Sequence, residues 1–558
     1  MIQQQIQKII EAAVKTAYPE VKGEVTVEKA SNPAFGDYAC NVAMTLVREL
    51  KLKPRVIAET ILKNIIDVQK IIESSSIDGP GFLNFRIKAV QWIQSLEMVS
   101  RHASFFGRSE VGKDKKVVVE FVSANPTGPL HIGNARGGPL GDAIASLLQH
   151  VGYEVVREFY LNDIGGQIDK LGESILVWMQ KGLNQETPSD DELGYKGDYV
   201  RELSEKAHQK FGTGILSVPK EEAIHRLGLF GIDYLSTEIK KDCEDMGIRF
   251  DSWIFEKDIL SSKATEKIID ELKAKKMTVE KEGALWFVPN DEFIQDRECV
   301  LVRTDGRPTY FANDIAYHAE KYRRGFDRLI NIWGSNHHGH VPRVLAAMQV
   351  LGCDPAKLET VLYQYVRVKR GTEAIKMSKR GGNFVIAREV LDEVGRDPFR
   401  FFLLMRAPDS HLDFDLELAK QQTSDNPVYY VQYAHARISS ILAKARDEGK
   451  KWDFCYEKDY EKYLIQPEEV ELAKFLLEYP ETVSLAATQL APHRVAYYLM
   501  DLARLFQHYY DRARADPAYR ILLGPPEQVA AKLYFIGCIQ QVLRNGLGLL
   551  GISAPEKM

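Results

Sequence analysis

The chain has 558 residues, 45% of them hydrophobic and 27% charged, with a formal net charge of −5. That length exceeds one hydrophobic core and asks for about three domains of roughly 150 residues each. The charge excludes a uniformly basic nucleic-acid coat while leaving room for a local basic surface.

The opening "MIQQQIQKIIEAAVKTAY" has apolar residues at positions 2, 6, 9, 10, 13 and 17, which is helical spacing. Lys8 and Glu11 interrupt it, so it is not a secretory signal. No run approaches the ~20 apolar residues that span a bilayer. Residues 1–108 read as a small N-terminal α+β domain. Residues 109–395 read as an α/β unit with an open parallel sheet. "KKVVVEFV" contains the continuous run Val117, Val118 and Val119, as in a strand buried on both faces. A helix with core face Leu140, Ile144, Leu147, Leu148 and Val151 follows, then the strand-like "YEVVREFYL". Residues 165–298 are more polar and are expected to form a mostly helical insertion. The sheet pattern returns with "ECVLVRTDG", "RLINIWGSNHHGH" and "ETVLYQYVRVKR". From 396 to 558 the periodicity is helical, which predicts an all-α bundle. Six scattered cysteines with no CxxC pair read as reduced thiols of an intracellular protein, with neither a disulfide frame nor a structural zinc site.

The stretch "SANPTGPLHIGNARGG" leaves the carboxyl end of the buried strand and enters the helix. Ligands of open α/β sheets bind at that end, and a helix N-terminus offers free N–H groups to phosphate. Gly128 and Gly133 let a base or phosphate approach the backbone, and His131 can donate to a phosphate oxygen as charge shifts. For a lone histidine a half-buried structural role is the better reading; for this stretch in this place it is not.

More than 200 residues downstream, "EAIKMSKRGGNF" crowds Lys376, Lys379 and Arg380 into a short loop closed by glycines. Solvated basic loops are the commoner origin of such runs. Beside the first motif, the lysines read as cations that stabilise departing pyrophosphate.

The two motifs, in this order and frame, resemble those of the class I aminoacyl-tRNA synthetases. Further stretches, among them "PTYFANDIAYH", "WGSNHHGHVPRV", "APDSHLDFDLELA" and "NPVYYVQYAHARI", extend the resemblance over nearly the whole chain and point to the arginine-specific family. The fold it implies is a Rossmann-like catalytic domain with an insertion, an N-terminal tRNA-binding domain and an all-α anticodon-binding bundle. It departs from the common class pattern at Asn134, where histidine is usual, and at Arg380, where serine is frequent; asparagine still supplies a donor.

The resemblance implies catalytic work by His131, Asn134, Lys376 and Lys379. It implies an ATP site at Pro126, Thr127, Gly128, His131, Gly133, Asn134, Gly334, Lys376, Met377, Ser378 and Lys379. A guanidinium is planar, always charged and carries five donors, so its pocket needs carboxylates and neutral acceptors. Glu120, Ser123, Asn125, His131, Tyr310, Asp314 and His338 are assigned to the amino-acid site. Glu120 interrupts a buried apolar run, which is costly unless the charge is paired. Tyr310, Asp314 and Tyr317 share a helix face by spacing. Three histidines in "GSNHHGH" lack a completing carboxylate or cysteine, so metal binding there is not expected.

The implied partners are L-arginine, ATP with Mg2+ and tRNA(Arg), with no membrane and no DNA. The expected protein is a cytoplasmic monomer whose amino-acid activation requires tRNA. Unpaired bases are read by stacking and edge hydrogen bonds, which suits Tyr430, Tyr433 and Arg437; Met558, Phe35 and Asn84 are further tRNA candidates. Three alternatives remain at this stage: a class I synthetase for another amino acid, a small nucleotidyltransferase of the same superfamily, and a catalytically silent tRNA-binding paralogue.

Overall fold

The computed structural model describes residues 2–189, 192–289, 299–375 and 384–558. In the N-terminal part, helix Ile2–Ala17 buries Ile2, Ile6, Ile10, Ala13 and Val14, the face its spacing predicts. It lies on an antiparallel sheet with strand order Val27–Lys29, Tyr38–Cys40, Phe82–Ile87, Ile72–Asp78.

The central sheet has five parallel strands: β1 (Lys116–Glu120), β2 (Glu154–Leu161), β3 (Ser252–Phe255), β4 (Arg328–Gly334) and β5 (Leu358–Tyr363). Their order is β3-β2-β1-β4-β5. The winding reverses between β1 and β4, so a crevice opens beyond the carboxyl ends of those two strands. Glu120 is in register with Asn331 across that gap. Helix Gly137–His150 covers the sheet, and burying each of Leu140, Ile144, Leu147 and Leu148 contributes roughly 1.5–3 kcal/mol.

The expected insertion at 165–298 is divided. Helices Gly166–Gly182, Asp198–Phe211 and Lys220–Asp245 form a separate small core around Leu171, Ile175, Val200 and Leu227. Gly172 is required there, because a Cβ on it would lie 1.9 Å from the Ile224 carbonyl oxygen. The chain then returns to the main sheet as β3. That strand escaped the sequence reading because "SWIF" is four residues long and only half-buried, giving no periodic signal.

The helical C-terminal part also begins later than expected. Strand Leu412–Asp415 pairs in parallel with Val366–Arg370 and belongs to the catalytic side. Beyond it, helices Pro427–Asp447, Pro467–Leu477, Tyr479–Thr488, His493–Arg512 and Pro526–Leu549 form the bundle. Tyr479, Tyr509 and Tyr534 are wholly buried in it, so much of its aromatic content is core. Among the described residues no helix is long and apolar enough to cross a membrane.

Candidate active site

β1 ends in a sharp reversal. Val122 and Ser123 both adopt positive φ, 68° and 41°, and the Ser123 N–H donates to the Phe121 carbonyl at 3.0 Å. Positive φ is unfavourable for a β-branched valine, and strain of this kind gathers at functional sites. Here it folds the Ser123 hydroxyl back onto Glu120 Oε1, 2.8 Å away.

The turn that follows ends at His131, the N-cap of the short helix Ile132–Ala135. Its Nδ1 accepts from the Asn134 N–H at 3.2 Å, which leaves the proton on Nε2. Burial lowers the pKa of His131, so a neutral imidazole presents one outward donor. Gly133 makes the capping possible: a Cβ there would stand 3.1 Å from the His131 ring. The side chain of Asn134 is half-buried and makes no hydrogen bond with the described residues. A Cβ on Gly128 would come into contact with the Tyr199 hydroxyl at 3.5 Å. The Tyr199 hydroxyl donates to the Thr127 carbonyl at 3.1 Å, seating the helical insertion on the turn. Pro126 is buried and Asn125 exposed.

Lys376, Met377, Ser378 and Lys379 lie outside the described residues. The segment after them is tied to the first motif: Ile132 N–H donates to the Val385 carbonyl at 3.0 Å, and Ala387 N–H to the Leu130 carbonyl at 2.7 Å. Phe384 meets the His131 ring edge-on. Phe384 and the residues just after it, more than 200 positions downstream in the sequence, therefore pack against the first motif at His131.

Helix Tyr310–Arg323 begins at the rim of the crevice, capped by Thr309. Tyr310 is exposed, and its hydroxyl accepts from Gln167 Nε2 at 2.7 Å. Asp314 lies one turn deeper. His340 Nε2 donates to its Oδ2 at 2.5 Å, and His318 Nδ1 stands 3.1 Å from its Oδ1. Burial works to raise this carboxyl, and the two histidines outweigh it, holding Asp314 well below the ordinary carboxylate range. Tyr317 does not share the rim: it is 2% exposed, bonded to Glu158 at 2.8 Å and stacked on Tyr160.

Sequence reasoning missed Glu256 and His340. Glu256 follows β3 directly and is 1% exposed. Its Oε1 accepts from Asn313 Nδ2 at 2.6 Å, Oε2 has no hydrogen-bond partner among the described residues, and the Tyr160 hydroxyl stands near the carboxyl. Burial, with Asp314 and Asp163 nearby, pushes the Glu256 carboxyl up to about 7. Burial first, then the charges of Glu256, Asp314 and Glu120, raise the Tyr160 hydroxyl. The signal that was available is an acidic residue closing the apolar "SWIF".

Three expected residues stand differently. Glu120 is 3% exposed and committed inward, with Lys321 Nζ on Oε2 at 2.5 Å and Ser123 on Oε1. His338 is exposed; the histidine that reaches Asp314 is His340. Gly334 ends β4 at the crevice, where a Cβ would meet the tip of the exposed Asn336 side chain at 2.6 Å.

In the bundle, Arg437 stacks over Tyr433 and Tyr510 at 4.5 and 4.8 Å and donates to Gln507 at 3.1 Å. Tyr433 stacks on Tyr429, Tyr430 is half-buried and Met558 is exposed. Phe35 is 47% exposed, but Asn84 is 4% exposed and its amide is spent on Asp78 at 2.6 Å. Leu83, Asn84 and Phe85 are buried in succession along their strand, which keeps Asn84 from the surface. Among the described residues no group of three His, Cys, Asp or Glu is placed to hold a metal ion.

Three family models cover most of the chain: the arginyl tRNA synthetase N terminal domain over 3–87, the class I tRNA synthetase (R) catalytic domain over 99–398, and the DALR anticodon binding domain over 431–558. The arginine–tRNA ligase of Citrifermentans bemidjiense is 45% identical over 96% of this chain and 95% of its own. That of Desulfosudis oleivorans is 41% identical over 99% of both. In fold, the chain superposes on the Thermus thermophilus arginyl-tRNA synthetase with a TM-score of 0.75 at 24% identity, covering all of both chains. The turn at His131 beside a switch-point crevice accords with these matches, and the matches show that the chain belongs to the arginine–tRNA ligases, a family of class I aminoacyl-tRNA synthetases.

Proposed function

We propose that the chain activates L-arginine with MgATP and passes the arginyl group to the terminal ribose of tRNA(Arg). The observation that carries the arginine assignment is the pair Asp314 and Glu256 around the Tyr160 hydroxyl, with Tyr310 at the rim. One ionised carboxylate, and a second poised near neutrality with an unsatisfied oxygen, suit a fork of five N–H donors. His340 and Gln167 aim Asp314 and Tyr310.

At the other end of the substrate, the arginine carboxylate attacks the α-phosphorus of ATP and pyrophosphate leaves. No protein nucleophile is needed; positioning and charge stabilisation do the work. The Nε2–H of His131 and the free amide of Asn134 donate to phosphate oxygens or ribose. Pro126, Thr127, Gly128 and Gly133 line the nucleotide side, and Lys376 and Lys379 take the developing charge on pyrophosphate. Ser123 and Asn125 face the α-amino end. The 2′-hydroxyl of the tRNA then displaces AMP. Tyr430, Tyr433, Arg437 and Met558 contact the anticodon stem-loop, and Phe35 the outer part of the tRNA. We read the enzyme as a cytoplasmic monomer whose activation step requires bound tRNA.

The test is discrimination between arginine and citrulline, its neutral near-isostere. Arginine should bind at least ~100-fold tighter, because citrulline leaves buried carboxylates without a cation. Equal affinity would remove the arginine site from this crevice.

A further inference from the structure

Arginine carries a cation at each end, and several carboxylates floor the crevice. Most are already neutralised. Arg324 closes Glu158 with two bonds of 2.6 and 2.8 Å, and Lys257 closes Asp163 at 3.0 Å. Glu120 is closed by Lys321, a lysine with 0% exposure. Lys321 lies over the Tyr317 ring at 4.3 Å and also donates to Asn331 Oδ1 at 2.9 Å. Asn331 Nδ2 in turn donates to His318 Nε2 at 2.8 Å, which puts the His318 proton on Nδ1, towards Asp314. A continuous chain thus joins the two carboxylates: Glu120 ends it at a cation, Asp314 at an imidazole donor.

Resting on the arginine reading above, we propose that Lys321 is a positioning residue that sorts the two ends of the substrate. It cancels the charge of Glu120, so that among the described residues around Tyr160 the carboxyls met by no lysine or arginine are Asp314, which faces imidazoles, and Glu256, which faces an amide. The guanidinium then has one place to go, and the α-carboxylate is left towards His131. Without Lys321 the bare Glu120 becomes a second cation site. Arginine then also binds reversed, with its carboxylate away from ATP.

Reversed binding has its own kinetic signature. It lowers kcat and KM by the same factor and leaves kcat/KM nearly unchanged, whereas merely structural damage raises KM or lowers kcat/KM. The experiment is steady-state charging by Lys321→Met, with arginine varied at saturating ATP and tRNA. The expected result is a fall of kcat and arginine KM together by about tenfold or more, with kcat/KM kept within about threefold. Agmatine, which has both cationic ends and no carboxylate, should inhibit this variant more strongly than wild type by a similar factor.

If Lys321→Met does not fold, the pair Lys321→Met with Glu120→Gln replaces the buried ion pair by neutral groups of similar size, a change folds often tolerate. The pair should bring kcat and KM back towards wild type and lose the agmatine effect. A raised or unchanged arginine KM in Lys321→Met would overturn the proposal. So would a paired variant whose kcat/KM falls more than tenfold, since Glu120 would then touch the substrate itself. Wild-type charging that does not depend on arginine would overturn the functional reading instead, before any variant is compared.

Discussion

His131 accepts the backbone N–H of Asn134 through Nδ1 at 3.2 Å and thereby turns its Nε2–H out into the crevice. One side chain caps a helix and supplies a donor, and the two roles are chemically separable. Asparagine is a good N-cap but cannot place a donor where Nε2 stands. His131→Asn should therefore keep its thermal midpoint within a few degrees while ATP–pyrophosphate exchange falls by about 10²–10³, the usual loss for one positioned donor. A large loss of stability with little loss of exchange would reverse the assignment.

Asp314 is held ionised inside the crevice by His318 and His340 against the cost of burial. Asp314→Asn keeps shape and removes charge. It should raise the arginine KM by about 100-fold or more, because a buried charge partner is worth several kcal/mol, while ATP KM moves by less than about threefold. Equal effects on both substrates, measured by varying each in turn, would reject Asp314 as a guanidinium ligand.

The carboxyl of Glu256, pushed up to about 7 chiefly by burial, gives a pH dependence with a definite sign. Only its ionised form attracts a guanidinium, so arginine KM should be flat above pH 7 and rise up to about tenfold per unit below it. The same group affects stability. Its folded pKa lies above its unfolded value, so its stabilising effect is full at acid pH and is lost as pH rises through about 7. At pH 8 it costs about 3 kcal/mol. Glu256→Gln keeps the Asn313 contact and should melt above wild type at pH 8 while losing arginine affinity, a trade of stability for function. A lower melting point at pH 8 would contradict this account of Glu256.

The half-buried Arg437 guanidinium stands over both the Tyr433 and the Tyr510 ring. If this stack receives a base, Arg437→Ala should raise the tRNA KM by about 10-fold, since one stacking contact is worth roughly 1–3 kcal/mol. Charging at saturating tRNA should stay near wild type. A fall in kcat with no change in tRNA KM would assign the stack to core packing.

Much of the site was legible because its residues are close in sequence. The strand, the Gly- and Pro-rich turn and the helix after it are contiguous; helical spacing puts Tyr310 and Asp314 on one face, and only the family resemblance singled them out. What remained hidden was set by tertiary pairing. Glu256 reaches Tyr160 only because a four-residue strand after the helical insertion joins the main sheet. Lys321 and Asn331 look like an ordinary helix lysine and a strand asparagine, and become an ion-pair network only when the helix lies over β1 and β4. Which histidine of "HHGH" faces Asp314 depends on the short turn after β4, and periodicity carries no information about a turn.

The most direct test of the account is ATP–pyrophosphate exchange measured with each of the twenty amino acids, with and without tRNA(Arg). Exchange is expected with arginine alone, and only when tRNA is present. Faster exchange with another amino acid would contradict the arginine pocket, and arginine exchange of equal rate without tRNA would contradict the requirement for bound tRNA.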